Sequence, residues 1–157
     1  HLNADRATTE AVAEVIREIK PDILITHWKG SWHRDHINAH LAVMEGIFYA
    51  GLPAISGEHG AHGVERVLFA ENWEDLTGFQ PQIYIDVSTV FDIWWAAVNE
   101  YALCREQMAD FPYGDYYRSL LRMRGCLSGV RYAEAFMTLP QHELLGMTQF
   151  SRAKSGL

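Results

Sequence analysis

Short β-branched apolar runs alternate with longer stretches of helical periodicity, which places this chain in the α/β class on a doubly wound, mainly parallel sheet. Two observations carry that expectation. Asp22-Ile23-Leu24-Ile25-Thr26 has the length and near-continuous apolar character of a strand buried in a parallel sheet, and it stands between two amphipathic helical patterns. A glycine-containing loop, Trp28 to Arg34, follows it, in the region beyond strand carboxyl ends where α/β sheets place their ligands.

The elements follow in order. Ala7 to Lys20 reads as a helix, because Ala11, Val12, Val15, Ile16 and Ile19 recur at helical spacing while Glu10, Glu14, Arg17 and Glu18 face elsewhere; Pro21 ends it. From Asp35 a second helix carries Ile37, Leu41, Met44, Ile47 and Phe48 on one side until Gly51 and Pro53 stop it. Val67-Leu68-Phe69 and Ile83-Tyr84-Ile85 read as strands separated by a polar stretch with Asn72, Asp75, Gly78 and Pro81. A long helix is expected from an N-cap near Ser88 to about Met108, and its stripe of Trp94, Trp95, Val98, Tyr101 and Ala102 reads as core before it reads as a sugar-stacking platform. Tyr116 to Arg124 is a further helix, and Tyr132 to Leu139 a last extended segment. The order is that of a Rossmann-like sheet in one domain spanning residues 1–157.

Composition narrows the function. The chain has 157 residues, 48% hydrophobic and 21% charged, enough to bury a core. Thirteen Lys and Arg against twenty Asp and Glu give a net charge of -7, the wrong sign for a general nucleic-acid binder. Cys104 and Cys126 stand in no metal or disulfide spacing, so a reducing, cytoplasmic location is expected. No apolar run has the length of a membrane span.

The chemistry concentrates in Thr26-His27-Trp28-Lys29-Gly30-Ser31-Trp32-His33-Arg34-Asp35-His36, which sets three histidines and a carboxylate in one loop and first helical turn. Neutral imidazole is a zinc ligand, and a catalytic zinc site keeps three protein ligands and one open position. His36, on a helix start, suits a rigid ligand; His33, in the loop, could reach the same metal or a substrate oxygen beside it. Asp35 could orient a histidine, and it equally suits a helix N-cap. His40 shares the face of His36, yet Ile37 stands where a metalloprotease helix carries glutamate, so His40 reads as a helix-face residue. His27 could simply pack, and His59 and His62 lie in a glycine-rich loop that reads as a connector.

These residues, taken in order, resemble the PIG-L/LmbE-like N-deacetylase family. Ile19 to Thr26 is similar to the family's helix end and strand before its second motif, and His33-Arg34-Asp35-His36 resembles that motif, with Arg34 in place of the usual proline. Asp86-Val87-Ser88 with Phe91-Asp92, the segment Arg105-Glu106-Gln107, and Gly129 to Phe136 with its Tyr-Ala-Glu-Ala-Phe run resemble later landmarks. The resemblance implies a zinc-dependent deacetylase acting on N-acetylglucosaminyl-type small molecules, with His36 a zinc ligand, His33 the group that stabilises or protonates the tetrahedral intermediate, and Asp35 tuning His33. A homo-oligomer is compatible with it. The family's first motif, Ala-His-Pro-Asp-Asp-Glu, which supplies the other two ligands and the general base, is absent from these residues, and truncation upstream of His1 is the expected reason. Two other readings remain: a non-catalytic sugar-binding or oligomer-partner relative, and an α/β domain with redox-metal or phosphate chemistry.

Overall fold

The computed structural model describes residues 1–139 apart from Leu76, Glu106 and Ala109. In chain order they form α1 (Arg6–Ile19), β1 (Ile23–Thr26), α2 (Arg34–Ala50), a 3-10 turn (Pro53–Ile55), β2 (Arg66–Ala70), β3 (Ile83–Asp86), α3 (Phe91–Val98), α4 (Tyr113–Ser128) and β4 (Ala133–Thr138). The four strands make one sheet in the order β1-β2-β4-β3. β1 and β2 run parallel, with Ile23 opposite Arg66 and Thr26 opposite Phe69, whereas β3 and β4 run antiparallel, with Ile83 opposite Phe136. The sheet is therefore mixed. The doubly wound, mainly parallel arrangement expected from the sequence is not shown by these strands. Apolar runs in chain order reveal that strands exist but not the direction in which a neighbour runs. The described residues fall into two compact units, His1–Gln80 with 137–139 and Pro81–Phe136.

In the first unit, α1 starts where the Asp5 carboxylate accepts the Thr8 amide at 2.9 Å and stops where Lys20 turns left-handed at φ 53, ahead of Pro21. It packs on α2 through Gly46, where an added Cβ would meet Val12 Cγ1 at 2.6 Å. The face it buries is Thr9, Ala13, Ile16 and Arg17, while Val15 and Ile19 are exposed. Arg17, expected on the polar side, is buried because its guanidinium donates to the Tyr49 carbonyl at 2.7 Å. Ala13, Ile16, Ile47, Ala50, Val64, Val67, Phe69 and Met137 form the core. β1, expected to be buried, lies at the sheet edge, with Ile23 54% and Ile25 57% exposed.

In the second unit, Phe91 stacks on Tyr132 with ring centroids 3.7 Å apart, and Leu121 completes a small core edged by Trp94 and Trp95. The helix expected from Ser88 to Met108 is the eight-residue α3. Ser88 is not its cap: the Ser88 hydroxyl bonds to the Asp86 carboxylate and accepts the Tyr132 amide at 3.0 Å, joining the end of β3 to the residue before β4. Tyr101, placed on the core stripe by periodicity, lies beyond the end of α3 and is exposed. Glu106, in one segment of the family resemblance, lies outside the described residues. Among the described residues no helix is long and apolar enough to cross a membrane.

Candidate functional site

Two loops at the carboxyl ends of the parallel strands β1 and β2 build the site, and hydrogen bonds fix one against the other. The Thr77 amide donates to the Gly30 carbonyl at 3.3 Å, the Trp28 indole donates to the Thr77 carbonyl at 2.8 Å, and the Trp32 amide donates to the Glu74 carbonyl at 3.1 Å. Gly30 is required by this approach. A Cβ there would sit 1.9 Å from the Thr77 carbonyl oxygen.

His33 is the N-cap of α2, which begins at Arg34, one residue before the start expected at Asp35. Its Nδ1 accepts the Asp35 amide at 3.2 Å, so in the neutral ring the proton resides on Nε2. Asp35 is therefore not the cap. It stands in the first turn, its amide engaged by His33 and its carboxylate accepting the Leu2 amide at 3.1 Å.

His36 lies in the first turn of α2. Its Nδ1 is 3.2 Å from the Ser31 hydroxyl and 2.8 Å from Glu74 Oε2, and both of those side chains are buried. The Glu74 contact is short but off the line of a good hydrogen bond, leaving Oε2 without one. His36 Nε2 has no bonding partner among the described residues. Burial lowers the pKa of His36, the neighbouring His33 pushes the same way, and Asp35 opposes both. The ring is thereby biased to the neutral form that binds metals.

His27 stacks on His36 with centroids 4.0 Å apart and planes 9° from parallel, and burial lowers its pKa, with His36 adding to the effect. His33 also stacks on His36, at 4.7 Å between centroids and a tilt of 28°. Imidazole lone pairs lie in the ring plane, so the near-parallel rings of His27 and His36, as placed, do not aim two nitrogens at one ion about 2.0–2.1 Å away. Accordingly, no three His, Cys, Asp or Glu side chains among the described residues are grouped to hold a metal. Among the described histidines, His36 has the donor pattern of a ligand, one nitrogen against buried side-chain oxygens and the other unengaged.

Three further described histidines make other contacts. His40 is buried against Trp28 and Phe69, and its Nδ1 donates to the His27 carbonyl at 2.9 Å. His62 Nε2 bonds to the Pro21 carbonyl at 2.9 Å, before the start of β1 and so at the opposite end of that strand from His27, while His59 approaches Glu14 of α1. Glu74 and Ser31 were not singled out in the sequence. The available signal for Glu74 was its position just after an apolar strand, the same logic that drew attention to the loop after Thr26. Trp32, 57% exposed, lies 5.9 Å from His33 and 5.8 Å from Trp73, centroid to centroid.

No family model matches the chain. Its fold is similar to that of the conserved protein TT1542 from Thermus thermophilus, with a TM-score of 0.76 and 24% identity over 88% of this chain and 61% of that one. It is similar to GalB, the 4-carboxy-2-hydroxymuconate hydratase from Pseudomonas putida, with a TM-score of 0.74 and 20% identity over 87% of this chain and 60% of that one. It is also similar to the N,N'-diacetylchitobiose deacetylase from Pyrococcus horikoshii, solved with its inhibitor MPG, with a TM-score of 0.63 and 18% identity over 87% of this chain and 52% of that one. At these identities the likeness is one of fold. The chain spans less than two thirds of the length of each of these structures.

Proposed function

We propose that this chain carries the His33–His36 part of a zinc-dependent site that hydrolyses an N-acetyl amide on an amino-sugar-type small molecule. The observation that carries the reading is His36, with Nδ1 held by Ser31 and Glu74 and Nε2 unengaged, beside His33, whose neutral form bears its proton on Nε2. His36 Nε2 would hold the metal. Zinc, when bound in such a site, acidifies water and polarises the carbonyl. His33 donates its Nε2 proton, as a hydrogen bond, to the carbonyl oxygen that gains negative charge as water adds to the carbon. Asp35 acts on that ring through its backbone amide, which keeps Nδ1 as the acceptor. Trp32, exposed next to His33, offers an indole face suited to the apolar face of a sugar ring. The deacetylase among the similar folds supports the reaction class, and the hydratase supplies its competitor, since that enzyme's reaction also consumes water.

The test uses the encoded polypeptide. Elemental analysis is expected to give about one zinc per chain, lost in a folded His36→Ala variant, with free amine released from an N-acetylglucosaminyl substrate. Unchanged zinc content in that variant removes His36 from the site. Zinc binding with no amine released, but with water added to an unsaturated carboxylic acid, favours the hydratase reading. Absence of both zinc and activity favours a non-catalytic relative.

A further inference from the structure

We infer that Glu74 is a positioning residue that fixes the tautomer of His36 and so presents Nε2 as the metal-binding nitrogen, an inference that rests on the proposed role of His36. Glu74 stands in the turn after β2, the strand paired in parallel with β1, so it and the His27 loop occupy the same ends of neighbouring strands. Its side chain is buried, and Oε2 lies 2.8 Å from His36 Nδ1 while no donor meets it along a hydrogen-bond line. At that distance the two neutral tautomers of His36 differ sharply in energy. With the proton on Nδ1, the positive end of the N–H dipole lies near the carboxylate, though off the hydrogen-bond line; with the proton on Nε2, an electron-rich Nδ1 lies 2.8 Å from a buried carboxylate oxygen. The first is favoured, and it leaves Nε2 with its lone pair free.

The approach is built into the fold. The Glu74 carbonyl accepts the Trp32 amide at 3.1 Å, and the Glu74 amide donates to the Asn72 side chain at 3.2 Å, so backbone contacts hold the turn against the histidine loop. Ser31 supports the same ring from the other loop: its buried hydroxyl is 3.2 Å from Nδ1 and also accepts the His33 amide at 3.2 Å. A carboxylate behind a ligating histidine is a recurrent arrangement that orients the ring and raises its basicity as a ligand.

The experiment uses the encoded polypeptide, metal-free, with isotope-labelled histidine, so that ring-nitrogen chemical shifts report the tautomer of His36, assigned by its loss in His36→Ala. The expected result is Nδ1–H in the wild type and a population moved toward Nε2–H in Glu74→Gln. Competition with a chromophoric chelator is then expected to show zinc binding weakened by about 10–100-fold in Glu74→Gln, with partial recovery in Glu74→Asp. A wild-type His36 protonated on Nε2 overturns the inference whether or not the variants fold. An unchanged tautomer with unchanged zinc affinity in folded Glu74→Gln also overturns it. Nδ1–H that responds to Glu74→Gln in a protein that binds no zinc upholds the positioning role and instead defeats the metal-binding reading of His36.

Discussion

At the scale of single residues, His33 and His36 are three positions apart and differ in what their nitrogens are free to do. Nδ1 of each is contacted, by the Asp35 amide in one case and by Ser31 and Glu74 in the other, but only His36 has buried side-chain oxygens behind it. A neutral His33 therefore acts as a hydrogen-bond donor, and His33→Ala in the encoded polypeptide is expected to lower kcat and kcat/KM together by about 10²–10³ while zinc content stays near wild type. Loss of zinc in that variant would make His33 a ligand. Asp75, next to Glu74, gives a second test. Burial pushes its pKa up to about 6, with Glu74 and Glu71 adding repulsion against the Asn72 amide that opposes the shift. The folded state thus holds this proton more tightly than the unfolded state, so the group's contribution is fully present below about pH 4 and is lost as pH rises through about 6. Asp75→Asn, which removes the charge and can keep an acceptor for the Asn72 amide, should stabilise the protein by about 1 kcal/mol at pH 8 after discounting for solvent screening. The gain should vanish near pH 3.5, and denaturant titrations at the two pH values measure it. The histidine cluster itself was legible, because residue type and spacing suffice to mark it. Glu74 was not, because its partner lies 38 positions earlier in the chain and only the pairing of β1 with β2 brings the two together.

At the scale of elements, the strand-loop-helix unit of β1, the histidine loop and α2 was read nearly to the residue, because a β-branched run, a glycine and an apolar helical period are all local signals. The helix expected to continue past Val98 was not, and neither was the N-cap at His33. Periodicity over Trp94 to Ala102 does not reveal that α3 stops at Val98, and Asp35 is the statistically preferred cap that the local geometry passes over in favour of an imidazole acceptor. Gly30 shows what the loop itself demands. The φ of Gly30 is not in the left-handed region, so the constraint is close approach to Thr77 and not backbone conformation. Gly30→Ala is expected to push the two loops apart, with a loss of roughly 1–3 kcal/mol in unfolding free energy. Because Glu74 hangs from the displaced loop, zinc affinity should fall in the same variant. A thermal melt paired with chelator competition reads both, and a variant equal to wild type in each would show that the loops are not held by this contact.

At the scale of the whole molecule, the sequence indicated the α/β class but not the sheet's mixed direction or which strand would stand at its edge. The reason is visible in β1 itself. Ile23-Leu24-Ile25-Thr26 reads as a buried strand, yet Ile23 and Ile25 lie more than half exposed on the first strand of the order β1-β2-β4-β3. An edge strand offers unpaired backbone groups, and apolar side chains beside them make it adhesive unless a charge interrupts them. The flanking Ile19 is 67% exposed and adds to the apolar surface near that end of the strand. The 157-residue chain is therefore expected to self-associate at micromolar concentration, and Ile25→Lys, which places a charge on the edge, should suppress that association. Because Ile25 is already 57% exposed, the substitution should alter unfolding free energy by no more than about 0.5 kcal/mol. Light scattering against concentration gives the first quantity and denaturant titration at low concentration the second. Equal scattering from the two proteins would move the adhesive surface away from β1, and a large loss of stability in Ile25→Lys would mean that the face carrying Ile25 is covered in solution.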